Sequence, residues 1–201
     1  MFRTHAIVLY IQKIRDNQKR IILFSRDYGK ITCWSKKNVL PDIGNVVSVV
    51  IERRGNENHV KTIDTIDSLG DTFENYEQVY NFLTLIETLY RLLPDALEHR
   101  NIYDDILELV QCMSQRYKKE GKNPEIGKIQ LFILINIRIL KRLGFLRQEV
   151  FLESNILDYI YRNIEKKSIS DIAQGKHLSN DVITSLREII LHTHYNFHYG
   201  L

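Results

Sequence analysis

Six cations surround Tyr28 and Trp34 within the nineteen residues KRIILFSRDYGKITCWSKK. These cations are Lys19, Arg20, Arg26, Lys30, Lys36 and Lys37. Phosphates require positive charge and unstacked bases require flat π-faces, so the combination predicts a surface for single-stranded nucleic acid. The alternative is a core hairpin with solvated ends, in which Trp34 is buried for packing alone.

The predicted nucleic-acid surface extends into the neighbouring strands. Residues 1–70 carry twelve Lys and Arg against seven Asp and Glu. We expect the cations to follow phosphates and the two aromatic residues to stack on bases. The predicted surface comprises Lys13, Arg15, Arg20, Arg26, Tyr28, Lys30, Trp34, Lys36, Lys37, Arg53, Arg54 and Lys61.

Charge alternates in blocks along the rest of the chain, although the net charge is only +3. Residues 71–115 hold nine Asp and Glu against two Lys and Arg, and residues 116–147 hold two against nine. Residues 148–201 hold seven against five. Such blocks favour charged partners, and the alternative is that they attract one another inside the fold.

The sequence contains no pattern typical of an enzyme. It lacks a glycine-rich phosphate loop and a nucleophile elbow, and Asp104 and Asp105 are expected on a solvated helix face. The chain is therefore predicted not to be an enzyme and to need no cofactor.

Histidine and cysteine patterns do not predict a metal site. On a helix, His192, His194 and His198 do not share one face, because their spacing is two and then four. Cys33 and Cys112 lie far apart, and neither belongs to a Cys-x-x-Cys pair. We therefore expect no metal.

Residues 168–186 have the short helix, Gly-containing turn and second helix of a helix-turn-helix. The second helix carries Asn180 and Asp181, with Arg187 as its one cation, which suits the major groove poorly. Structural helices are the preferred interpretation.

Alternating apolar residues in the first seventy positions predict five strands. The predicted strands are His5–Lys13, Ile21–Phe24, Ile31–Trp34, Asn45–Arg54 and His59–Asp67. Gly29 is expected to adopt a positive φ in the tight turn after Asp27. Five short strands indicate a small barrel, for which the oligonucleotide-binding (OB) fold is the best-known solution.

After Gly70 the apolar period changes to three and four, which predicts helices. The predicted helices are Glu74–Leu93, Ile102–Lys118, Glu125–Leu143, Ser154–Lys166 and Asn180–His198, with a short one at Ser168–Ala173. The third is apolar on most sides and is expected at the centre of a bundle. The predicted class is therefore α+β, with an OB-like barrel at 1–70 and a helical domain at 71–201.

Four segments resemble the bacterial recombination mediator family RecO. They are HAIVL at His5–Leu9, LFSRDYGK at Leu23–Lys30, YNFLTLIETLYRLLP at Tyr80–Pro94 and LKRLGF at Leu140–Phe145. The four segments have the order and spacing found in that family, and the resemblance covers nearly the whole chain.

The resemblance implies a DNA repair protein that binds single- and double-stranded DNA and anneals complementary strands. It also implies that the protein helps to load recombinase onto DNA coated by single-strand-binding protein. The implied partners are the tail of single-strand-binding protein and the mediator RecR. Many RecO members carry a four-cysteine zinc module after the segment matching Leu140–Phe145, whereas Leu146–Glu153 has no cysteine. The basic loop after the third strand is shortened to Ser35–Asn38, which predicts a weaker hold on DNA.

The tail of single-strand-binding protein is acidic and ends in an aromatic residue, so its receptor needs an apolar pocket with cations at the rim. The segment Lys128–Arg147 is predicted to supply both, and the alternative is that it forms core with a solvated edge. The predicted apolar residues are Leu131, Phe132, Ile135 and Leu143. The predicted cations are Lys128, Arg138, Lys141, Arg142 and Arg147.

Two other functions remain open at this point. The barrel could serve RNA or nucleic acid in general, or the chain could be a protein-interaction scaffold with weak DNA binding. The sequence has no signal peptide and no run long enough to span a bilayer, so we expect a cytoplasmic protein without membrane contact.

Overall fold

The computed structural model describes residues 1–14, 18–36, 40–68, 73, 75–119, 125–152, 154–168, 171 and 178–199, without the side chains of 113–119, 125–128, 194 and 196–199. The chain forms two compact units. The first contains Met1–Glu74 and Leu89–Ile106, and the second contains Asn75–Thr88 and Leu107–Leu201. The first unit thus combines the predicted strand region with a helical segment from further along the chain.

Five strands close into a barrel in the order β1-β2-β3-β5-β4. The strands are β1 (Phe2–Lys13), β2 (Lys19–Ser25), β3 (Gly29–Ser35), β4 (Val46–Arg54) and β5 (Glu57–Asp67). Paired strands are antiparallel except β3 and β5, which are parallel and place Trp34 opposite His59. A closed OB-like barrel followed by helices confirms the predicted α+β class.

The interior of the barrel is filled by branched apolar side chains. Along β3, buried residues alternate with half-buried ones, as expected for a strand with one face on the core. The β-branched residues suit this pleated surface. The core comprises Ala6, Val8, Ile21, Leu23, Ile31, Cys33, Val47, Val49, Ile51 and Ile63.

The turn between β2 and β3 confirms the positive φ predicted for Gly29, which is +66°. The same glycine lies against the backbone of Leu97. A Cβ at Gly29 would lie 2.1 Å from the Leu97 carbonyl oxygen. A glycine is therefore required here both for the turn and for the close approach of the two backbones.

Residues 89–106 pack on the outside of the barrel within the first unit. The Phe24 ring meets the edge of Tyr103 at a centroid distance of 5.6 Å, and the Tyr10 ring stacks on Tyr90 at 4.8 Å. The backbone N–H of Ala96 donates to the Lys30 carbonyl at 3.0 Å. This segment explains why Phe24, on the outer face of β2, is fully buried.

The described residues contain five α-helices and one 3-10 helix. They are α1 (Tyr76–Leu92), α2 (Arg100–Lys119), α3 (Glu125–Arg142), the 3-10 helix (Gln148–Phe151), α4 (Asn155–Asn163) and α5 (Asn180–Tyr199). The five long predicted helices are confirmed within a few residues. Helix α4 ends three residues before the predicted Lys166, whose N–H instead closes a turn on the Asn163 carbonyl at 3.0 Å. The short helix predicted at Ser168–Ala173 lies largely outside the described residues.

Helix α3 is buried over most of its described side chains in the second unit, as its apolar sequence predicted. Every residue from Gln130 to Leu140 is buried. The Phe132 ring packs against Phe82 at a centroid distance of 6.0 Å. A hydrogen bond of 3.0 Å joins the Thr88 hydroxyl to the side-chain oxygen of Asn136, which satisfies a polar group inside this apolar interface.

Within the described ranges, none of the helices is both long enough and apolar enough to cross a membrane.

Candidate nucleic-acid interface

Trp34 lies at the centre of a row of side chains on the outer face of the barrel. Strand pairing places it between Arg20 on β2 and His59 on β5. The row continues to Gln12 beyond Arg20 and to Glu52 beyond His59. Since neighbouring strands are about 4.8 Å apart, Arg20 and His59 are the cross-strand neighbours of Trp34 on either side.

The outer face formed by β2 and β3 is covered at one end and open at the other. Ile22 and Phe24 are buried, whereas Thr32 and Trp34 are half-buried. In OB barrels this face binds oligonucleotides together with the loops after the first and fourth strands. The open end is therefore the candidate interface, and Arg20, Thr32, Trp34 and His59 are together called the Trp34 face.

Several cations lie on strand ends and turns near the Trp34 face. Lys13 and Lys19 face each other across the turn between β1 and β2. Lys36 follows β3 directly and is exposed, as are Arg53 and Arg54 at the end of β4. These positions can supply the phosphate contacts that flank a base on Trp34.

Arg26 and Lys30, although predicted as DNA ligands, bind partners within the protein. Arg26 makes two hydrogen bonds to the Asp104 carboxylate, at 2.8 and 3.0 Å, and this pairing raises the pKa of Arg26. Lys30 donates to the Tyr90 carbonyl at 3.1 Å and lies 3.2 Å from Asp95. Both side chains thus hold residues 89–106 on the barrel, a structural task that the sequence did not indicate.

The two predicted stacking residues do not form one platform. Tyr28 is 42% exposed, and its ring lies against Phe2 at a centroid distance of 4.4 Å. Trp34 is six residues further along the hairpin, which corresponds to about 20 Å of extended strand. A base on Trp34 and a base on Tyr28 would therefore be several nucleotides apart.

Carboxylates temper the positive charge beside the Trp34 face. Arg54 donates twice to Glu52 Oε2, at 3.0 and 2.7 Å, and these hydrogen bonds lower the pKa of Glu52. His59 Nε2 lies 3.2 Å from Glu57 Oε2. The exposed pair of Arg54 and Glu52 contributes little to stability, so a phosphate can compete for Arg54.

The remaining predicted residues fall into two groups. Arg15, Lys37 and the side chain of Lys128 lie outside the described residues. Lys61 on β5 and Arg147 beside the 3-10 helix are exposed.

His59 and Gln12 are part of the row through Trp34 but were not predicted from the sequence. Gln12 reaches the row through the register of β1 with β2, which includes a bulge between Val8 and Tyr10. His59 reaches it through the parallel pairing of β3 with β5 that closes the barrel, and this pairing leaves no local signal in the sequence.

In the second unit, the apolar residues predicted for a partner pocket are mostly core. Leu131 is 1% and Ile135 0% exposed. Phe132 is also buried, but it lines a cavity whose wall includes Arg187 on α5. Among the described side chains, none of the predicted cations lines that cavity.

Three predicted partner cations contact the chain at the end of α4. Arg138 Nη1 donates to the Lys167 carbonyl at 2.7 Å. The ammonium of Lys141 is 3.0 Å from Glu165, and Arg142 Nε is 3.8 Å from the same carboxylate. These contacts join the last turns of α3 to the segment after α4, where carbonyl groups and carboxylates attract cations.

The described residues contain no group of three or more His, Cys, Asp or Glu side chains placed to hold a metal ion. Comparison with known proteins finds no family model and no curated protein that matches the chain.

Proposed function

We propose that the protein binds single-stranded DNA through the Trp34 face and acts in DNA repair as a recombination mediator of the RecO kind. The observation that carries the binding proposal is the position of Trp34 between Arg20 and His59 at the open end of the barrel. Stacking of one base on an aromatic side chain contributes about 1–3 kcal/mol. The neighbouring cations add contacts to phosphates whose strength depends on salt.

A single strand suits this face better than a duplex. A base inside a duplex is stacked on its neighbours and cannot place its face on Trp34. The cations at Lys13, Lys36 and Arg53 can still contact a duplex backbone, so double-stranded DNA is expected to bind more weakly. A protein that holds DNA strands through their phosphate backbones leaves the bases able to change pairing partners, which suits annealing of complementary strands.

The wider role rests on the resemblance to RecO and on the order of barrel and helices. It comprises annealing of complementary strands and loading of recombinase, with RecR and the tail of single-strand-binding protein as partners. An assay with complementary oligonucleotides coated by single-strand-binding protein tests this part separately. Annealing no faster than in the absence of the protein would limit the proposal to binding alone.

The binding proposal is tested by fluorescence anisotropy with an oligothymidylate over a range of salt concentrations. Replacing Arg20 and Lys36 together by Gln removes two cations that contact phosphates, so the salt slope should fall by roughly 1–1.5. The matched control replaces the exposed cations Arg162 and Lys166 by Gln, and its slope should equal that of the unchanged protein.

The same titration separates the alternative functions. Tighter binding of a matched oligouridylate would favour a general RNA-binding barrel. No salt-dependent binding of either oligomer would favour an interaction scaffold and would contradict the proposed function.

A further inference from the structure

Exposed apolar side chains border a groove between α1, α3 and α5 in the second unit. Tyr80 on α1 and Leu191 on α5 line it and are 49% and 53% exposed. Tyr76 and Leu83 lie one turn from Tyr80 on α1, and Tyr195 lies one turn from Leu191 on α5, and these three are also exposed. Exposed apolar surface on a folded protein can mark an interaction site.

The groove contains a cavity of about 150 Å³. Phe132 and Ile133 of α3 and Ile190 of α5 supply its apolar lining. A cavity of this size holds about one benzene ring, and it is well below the roughly 300–1,000 Å³ of small-molecule pockets. It therefore fits a single Phe or Leu side chain inserted as an anchor.

Arg187 at the edge of the cavity offers an unused hydrogen-bond donor. Its Nη2 donates to Glu77 Oε1, whereas its Nε is buried without a partner. Leaving a buried donor unpaired costs about 1–3 kcal/mol, so a ligand acceptor that reaches Nε after a rotation of the guanidinium would be favourable. The backbone carbonyl of a bound peptide is such an acceptor, which a purely hydrocarbon ligand lacks.

Helices α1 and α5, which form two walls of the groove, are acidic, and the third wall on α3 contributes the uncharged residues Phe132, Ile133 and Asn136 to the cavity. Residues 75–88 and 180–199 contain one Lys or Arg, which is Arg187, and four carboxylates. These carboxylates are Glu77, Glu87, Asp181 and Glu188. Asp181 and Glu188 are exposed, and Glu188 lies one turn from Leu191 on the same helix face. Because Arg187 is paired with Glu77, the rim carries net negative charge, which repels acidic peptides and nucleic acid.

From the cavity, the unpaired Nε and the acidic rim, we infer that this groove binds a basic peptide segment of a partner protein. One Phe or Leu of the segment fills the cavity, a neighbouring carbonyl accepts from Arg187 Nε, and flanking Lys or Arg residues meet Asp181 and Glu188. This site is separate from the Trp34 face and does not depend on DNA binding.

Calorimetry with two capped peptides tests the inference on the full chain. One peptide has a single Phe between runs of Lys, and the other has the same Phe between runs of Glu. We expect the Lys peptide to bind at least about tenfold more tightly at low salt, because the rim attracts one set of flanks and repels the other. Equal affinity, or preference for the Glu peptide, would overturn the inference.

Two surface variants locate the binding site without touching the core. Glu188→Lys should weaken binding of the Lys peptide about tenfold. Glu149→Lys, which replaces an exposed carboxylate on the 3-10 helix, should leave that affinity unchanged. Leu191→Ser should weaken binding of the peptide to a similar extent, and Leu152→Ser, at another exposed leucine, is its control. If neither groove variant changes the affinity, the peptide binds elsewhere and the inference fails. Sedimentation showing a dimer that Leu191→Ser dissociates would assign the groove to a second copy of the chain and would also overturn it.

Discussion

Among the side chains of the Trp34 face, the indole is the one whose contribution can be separated from charge. Trp34→Ala removes a stacking surface but no cation. Binding of an oligothymidylate should therefore weaken by about 1–3 kcal/mol while the salt slope stays the same. Anisotropy titrations at several salt concentrations measure both quantities.

The control for Trp34→Ala is Tyr159→Ala, which removes an aromatic side chain that is 58% exposed in the second unit. Its affinity for DNA should be unchanged. If Trp34→Ala binds like the unchanged protein, the indole does not stack on bases, and the Trp34 face loses its central element.

Tyr103 is a buried side chain whose hydroxyl has no hydrogen-bond partner in the described structure. Tyr103→Phe removes that unsatisfied group and keeps the ring against Phe24, so the free energy of unfolding should rise by roughly 1 kcal/mol. Urea unfolding measures the change, and the exposed Tyr80→Phe serves as the control. A loss of stability would mean that the hydroxyl has a favourable role in the folded protein.

The same tyrosine links stability to alkaline pH. Burial raises the pKa of Tyr103 to about 12, whereas an unfolded tyrosine ionises near pH 10. Between these values the unfolded chain releases its proton first, so stability is complete below about pH 10 and falls as the pH rises towards 12. Tyr103→Phe should show a shallower fall over this window than the unchanged protein.

Between the end of α1 and the start of α2, the connection at Leu93–His99 lies in the first unit and is held against β3 through Gly29. Gly29→Ala places a Cβ in the left-handed region and also 2.1 Å from the Leu97 carbonyl oxygen. Gly55→Ala is a matched control, because Gly55 also has a positive φ of +60° but no atom within 4 Å of the added carbon. Both should lose about 1–2 kcal/mol of unfolding free energy from backbone strain.

Gly29→Ala should lose more than the Gly55 variant, because Leu97 must also move away from β3. Thermal unfolding of the two variants measures the difference. Equal losses would show that the contact with Leu97 adjusts without cost and does not fix the connection.

The elements themselves could largely be predicted from the sequence, since periodicity and turn residues are local properties. Gly29 and Pro94, for example, mark the ends of elements directly. What the sequence did not reveal depends on contacts between distant residues. Nothing near Arg26 in the sequence indicates its pairing with Asp104, and His59 lies beside Trp34 only because the barrel closes.

Across the whole chain, the alternating charge blocks are partly used for internal pairing. In the first unit, Arg26 pairs with Asp104 and Lys30 with Asp95, which joins the basic 1–70 region to the acidic region after it. In the second unit, Lys141 pairs with Glu165 across the next two blocks. The alternative of attraction inside the fold therefore accounts for part of the pattern, and the cations near Trp34 remain as the basis for binding nucleic acid.

The fold as a whole is predicted to be independent of metal. The chain has two cysteines, Cys33 and Cys112, and Leu146–Glu153 has none. Incubation with a chelator should therefore leave the midpoint of thermal unfolding unchanged, whereas a structural zinc site contributes directly to folding. Stoichiometric zinc in the purified protein, or a lowered midpoint after chelation, would contradict this expectation.

Because Cys33 is buried inside the barrel, its thiol is a chemical probe for opening of the strands. Its side chain is fully buried, and burial raises the pKa of Cys33 to about 12. Alkylating reagents attack the thiolate, so Cys33 stays unreactive near neutral pH while the barrel is closed. The rate at which it is alkylated then follows the population of opened barrel. A ligand that stabilises the strands slows this alkylation. Binding of the ligand can therefore be measured from the alkylation rate alone.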